Sequence, residues 1–278
     1  MAESAFQTRY RQEFIAGYER NQSLLRSTVT TEVETNGNQA VFLVADSGGA
    51  SAVTRGLNGL IPARPDNLNQ VTLVLQEWHD LVRRTGFNLF ASQGDGRKIM
   101  QATTRAVLNR KIDDDILAAL ETGTQTTSAI ASTMSLQGVM HAIAILGNND
   151  VPIDGNITAL ISPGAYANLM MTPEFTSADF SNNKPFDGRQ TNFRWAGINF
   201  IVHSGLTGAG TADEKVIVYH KSAIGHAFDT ASLKLYAGYD EEQDYSYARA
   251  SSYMGSKLLQ NEGVVIIHND GSAWSPAA

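Results

Sequence analysis

The chain has 278 residues, 21 Lys and Arg against 28 Asp and Glu for a formal net charge of −7, and 42% hydrophobic residues. That apolar content suffices for one or two packed cores and excludes wholesale disorder, while the acidic balance argues against tight nucleic-acid binding, which needs clustered cations. The absence of Cys excludes disulfides, thiolate metal sites and a Cys nucleophile. Glu3, Glu13 and Glu19 are unlike a signal peptide, and the longest nearly apolar stretch, Gly138–Gly147, is far short of the roughly 20 residues of a membrane span, so a soluble chain is expected.

Glu3–Asn21 reads as a polar helix whose Phe6, Tyr10, Phe14 and Tyr18 recur at i+4 on one face. Two readings stay open: a helix lying on its own domain, or an arm docking on a neighbouring molecule. Ser27–Ala45 reads as a β-hairpin, with alternating Val29, Thr31 and Val33, the apolar run Ala40–Val44, and between them Thr35-Asn36-Gly37-Asn38. Asn-Gly tolerates the positive φ of a type I′ turn. Asp46–Asn69 is rich in Gly, Ser, Ala and Pro and reads as a loop of unusual length. Val71–Leu75 predicts a strand, followed by Trp78, Val82, Arg83 and Arg84 in a segment of open type.

Asp95–Glu121 predicts the longest helix, with Ile99, Ala102, Ala106, Ile112, Ile116, Leu117 and Leu120 on one broad face. Leu108 falls opposite and Asp113 falls within the stripe, which predicts burial on two sides and an Arg110–Asp113 salt bridge one turn apart. Helix Ser135–Leu146, strand Ile157–Ile161 and a third helix from Ala165 after Ser162-Pro163-Gly164 predict an α/β layer with its own core. Strands follow at Ile198–His203, Val216–His220, Ser232–Gly238, Tyr245–Tyr253 and Gly263–His268, with a turn at Asp240-Glu241-Glu242.

Chemistry is hard to place on this chain. Asp46-Ser47-Gly48-Gly49 matches the surroundings of a serine-protease nucleophile, yet no His precedes residue 47 and no Gly-x-Ser-x-Gly elbow occurs; a Gly-rich loop is the better reading. Asp113-Asp114-Asp115 on a helix point about 100° apart and do not converge on one ion. His203 and His220 could approach each other at strand ends, but a third ligand is not evident. No cofactor is expected. What stands out is an aromatic arm, a projecting hairpin and a long loop, segments that need outside surfaces to bury against.

The order of these elements, with Ser23-Leu24-Leu25-Arg26, Arg110-Lys-Ile-Asp113-Asp-Asp-Ile116-Leu117, Ser162-Pro163-Gly164-Ala165-Tyr166, Trp195-Ala-Gly197-Ile198-Asn-Phe200 and Tyr219-His220-Lys221-Ser-Ala223-Ile224-Gly225, resembles the major capsid proteins of tailed bacteriophages, a coat-protein fold shared with encapsulin shells. The resemblance implies an α+β phage major-capsid fold. Its parts are an N-terminal arm (1–26), an extended β-hairpin loop with its return strand (27–90), a peripheral domain with a long spine helix (91–125), an axial α/β domain (126–228), and return strands of the peripheral domain with the C-terminus (229–278). It implies subunits that bind one another as pentamers and hexamers and close an icosahedral shell around double-stranded DNA, with no catalytic activity. A separate scaffolding protein, a portal and a decoration protein are the implied partners, DNA is contacted weakly and no membrane is involved; the location is the virion, assembled in the host cytoplasm. An encapsulin-type shell around cargo enzymes is the nearest alternative, and a hydrolase using Ser47 the alternative of another class. The candidate interface residues are Phe6, Tyr10, Phe14, Tyr18, Val33, Asn36, Gly37, Asn38 and Phe42. Some relatives cross-link through a Lys in the extended loop; here the first Lys is Lys98, so that chemistry is not expected from this loop.

Overall fold

The computed structural model describes residues 22–33, 37–47, 49–57, 59, 61–64, 67–86, 96–127, 133–176, 192–229 and 234–274. Phe6, Tyr10, Phe14, Tyr18 and Asn36 lie outside the described residues.

Two β-layers share the chain. The first is organised around the 14-residue strand β11 (Tyr245–Leu258), which pairs antiparallel with β4 (Gln76–Thr85) along one edge and with β10 (Lys234–Asp240) and β9 (Ile224–Phe228) along the other. Strand β1 (Thr30–Val33) adds to β9 in parallel, with Thr31 opposite His226. Helix α1 (Gly96–Leu120) lies across β11 and β4. Burial on two sides is borne out: Met100, Thr104 and Leu108 form one buried row, and Ile116, Leu117 and Leu120 enter a second core. Ala102, expected inward, is exposed.

The second sheet runs β12-β8-β5-β7-β6, from β12 (Val264–Asn269) through β8 (Glu214–His220), β5 (Ile157–Ile161) and β7 (Ile198–Val202) to β6 (Asn192–Trp195). All five residues of β5 are buried, because this sheet is covered on both faces. Alternation sorts them: Ala159 and Ile161 face the core built with helices α2 (Leu136–Asn148) and α3 (Pro163–Met170), followed by the short α4 (Pro173–Thr176), while Leu160 faces the end of α1 with Leu25 and Val29. Ser135 and Ser162 cap α2 and α3 by accepting from Gly138 N and Ala165 N, and Pro163 opens α3 where its missing N–H costs nothing.

Two expectations need correction. The hairpin across Asn36-Gly37 does not pair β1 with the next strand. Instead β2 (Gln39–Asp46) pairs antiparallel with β3 (Asn67–Val74) over eight residue pairs, so β2 and β3 form the extended β-hairpin, closed by the long loop. The reason is cooperative: β9 is buried at every position and takes β1 as its neighbour, and the longer β2–β3 ladder outweighs one favourable turn dipeptide. The tight two-residue turn forms at Ala196-Gly197, both with positive φ (50° and 82°), which joins β6 to β7 with Trp195 opposite Ile198. The second correction concerns chain boundaries. β9, expected within the axial part, belongs to the first sheet, and β12, expected among the peripheral return strands, pairs with β8 in the second.

Candidate assembly surfaces

The β2–β3 ribbon has one seated face and one bare face. Ala40 and Phe42 of β2 and Leu73 of β3 pack on Ala227 of β9, and Lys257 Nζ donates to the Thr72 carbonyl at 2.8 Å, tying the ribbon to β11. Phe42, a candidate contact residue, is therefore a correction: it is 8% exposed and seats the ribbon on the chain's own sheet. Its ring occupies the space above Gly225, where a Cβ would meet Phe42 at 2.9 Å. The opposite face carries Val41, Leu43, Leu68 and Val74, which are 45 to 61% exposed. Among the described residues, seven of the seventeen exposed large apolar side chains fall between Val41 and Val74, the others being Val53, Leu57 and Ile61 on the loop. Sequence reading missed Val41 and Leu43 because the run Ala40–Val44 alternates in either phase until the face against β9 is known. Val33 is 45% exposed at the end of β1, and Gly37 and Asn38 are exposed beyond it.

The segment that enters the fold before β1 is held by a buried acid. Asp113 of α1 is fully buried and accepts hydrogen bonds from Ser23 Oγ (2.6 Å), Leu24 N and Leu25 N (both 3.2 Å), with His203 Nε2 at 3.6 Å. Burial pushes its carboxyl up, but the hydrogen bonds from His203, Ser23 and the two backbone amides outweigh that and hold it below its ordinary value. These contacts, which helix spacing alone could not supply, satisfy the Asp113 oxygens inside the fold, where an uncompensated carboxylate would be costly. Two of the short patterns noted in the sequence, Ser23–Arg26 and Arg110–Leu117, thus meet in space. Leu25 and Val29 then fill the second core, Thr28 Oγ1 shares a hydrogen bond with the Tyr219 hydroxyl, and the Arg26 guanidinium sits 3.6 Å over the Phe228 ring.

No catalytic arrangement emerges among the described residues. Ser47 is exposed just past β2. Five of the six histidines are engaged elsewhere: His79 with Ser251, His203 with Asp113, His220 with Asp154 and Ser222, His226 with Ser256, and His268 with Asp213. His203 and His220 have separate partners. Among the described residues no three acidic or His side chains gather as a metal site, and Asp114 and Asp115 diverge from Asp113, with Asp115 raised by burial.

A family model described as phage capsid protein matches residues 2–271. Similar solved structures include the capsid of cyanophage P-SCSP1u (14% identity, TM-score 0.75, covering 95% of this chain and 93% of that chain) and Mycobacterium phage Che8 (17%, 0.74, 95% and 97%). The capsid of the native GTA particle is also similar (12%, 0.74, 96% of each chain). At these identities the likeness is one of fold. No curated protein matches the chain.

Proposed function

Because the chain belongs to the phage capsid protein family, its role is that of a structural major capsid protein, and we propose that copies of it assemble as pentamers and hexamers into an icosahedral shell enclosing double-stranded DNA. The observation that carries this reading is the bare face of the β2–β3 ribbon. Val41, Leu43 and Val74 lie on a two-stranded element anchored at one face only, and a two-stranded ribbon is marginal alone in water. A neighbouring copy that covers this face removes the exposed apolar surface and the unpaired edges together.

The second sheet with α2 and α3 is the axial part, and α1 with the β11 sheet the peripheral part. Weak individual contacts summed over several neighbours make a closed shell stable while each stays reversible during assembly. A net charge of −7 keeps the wall from gripping packaged DNA. A separate scaffolding protein, a portal and a decoration protein are the proposed partners, and the shell is built in the host cytoplasm as part of the virion. Negative-stain imaging of the purified chain, alone and with co-expressed scaffold, tests the proposal: closed shells of uniform diameter are expected, and a monodisperse monomer under both conditions refutes it.

A further inference from the structure

The face of the second sheet that carries Leu160 and Ile217 is not covered to its end. Thr158, Asn199 and Arg194 sit side by side across β5, β7 and β6, and they floor an open cleft of about 400 Å³ roofed by Ser27 and Thr28 of the entering segment and flanked by Lys221. Arg194 is seated over the bare backbone of Gly155 (φ +89°), where a side chain would come within 2.5 Å of its guanidinium. No acid lines the cleft, and neither Arg194 nor Lys221 makes an ion pair among the described residues.

Two cations with no acidic partner among the described residues, lining one concave surface with hydroxyl groups, match a carboxylate. In a chain where acids outnumber cations 28 to 21, every further copy brings surplus carboxylates. Two cations are too few to hold a duplex backbone, whose proteins contact roughly 6–10 phosphates. The cleft also adjoins β1, whose Thr30 hydroxyl donates to the Lys221 carbonyl and whose outer edge pairs with no described strand. We propose that this cleft receives an Asp or Glu side chain of a neighbouring copy, a contact that rests on the shell reading above.

The test uses shells assembled from a mixture of ¹⁴N- and ¹⁵N-labelled chains. A carbodiimide condenses a Lys amine with an adjoining carboxylate, losing one water, and mass spectrometry reads the joined peptides. Lys221 is expected to be joined to an acidic peptide of the other isotope in shells and not in dissociated protein. In parallel, Arg194→Glu/Lys221→Glu is expected to keep its melting temperature and lose at least tenfold in shell yield, while Arg194→Lys keeps most of it. Lys221 as open to acylation in shells as in free subunits, or a double variant that assembles like the parent with the same salt dependence, overturns the contact and leaves the shell reading standing. A variant that assembles normally but retains less duplex DNA at low salt also overturns it, assigning the cleft to phosphate. If the parent chain forms no shells, the shell reading itself fails and the contact with it.

Discussion

Asp113 shows how much one side chain decides. It is the only acid among the fully buried residues of α1, and its oxygens take up Ser23, Leu24 and Leu25 at the point where the chain enters the body. Asp113→Ala leaves those donors and His203 without their acceptor, and should cost about 2–4 kcal/mol in chemical denaturation of the dissociated subunit. Because its folded-state pKa is lowered, the stability it contributes is present above the unfolded value near 4 and is lost as pH falls through the lower folded value; Asp113→Asn should flatten the denaturation profile in that acidic window. His226 works in a different window. Burial, with the nearby Arg26 charge, lowers its pKa to about 4, so it is neutral in the fold and stability is full above pH 6.5. Stability should fall between pH 6.5 and 4, and a His226→Gln subunit should lose that slope in a pH series of melting temperatures.

At the scale of elements, the ribbon separates two kinds of apolar residue that look alike in sequence. Phe42→Ala removes a buried ring from its seat against Ala227 and should lower subunit stability by about 3 kcal/mol. Val41→Asp with Leu43→Asp alters only the bare face, so the dissociated subunit should unfold within about 0.5 kcal/mol of the parent. Shell formation should nonetheless be lost, read by light scattering and imaging. Equal assembly of that variant would remove the ribbon from the interface. The long helix and the α2–β5–α3 unit were legible in advance, because their spacing of apolar residues is a local signal. The partners of β1 and β2 were not, since Asn36-Gly37 speaks for a turn while the choice of neighbour depends on β9, some 190 residues further along the chain.

For the whole molecule, the two layers are interleaved in sequence: β9 sits in the first sheet between strands of the second, and the chain returns from β11 to close the second sheet with β12. The layers are therefore coupled through β8, β9 and β12, and the ribbon, seated at one face only, is the part left to adapt in the proposed shell. Because no Lys precedes Lys98, the ribbon supplies no amine for an isopeptide bond, and denaturing gels of mature shells should run as a single band without a ladder.

Composition and periodicity by themselves determined the long helix, the α/β unit and the lack of a recognisable catalytic or metal-binding pattern, because each rests on residues near one another in the chain or on residues simply absent, whereas the α+β capsid class came from the resemblance. Only the tertiary structure decided that Asp113 holds Ser23 through Leu25, that β2 finds β3, and that Val41 and Leu43 face outward while Phe42 turns in. Those outcomes depend on which distant surface covers which face, and a free energy shared between segments far apart in sequence leaves no local trace in either one.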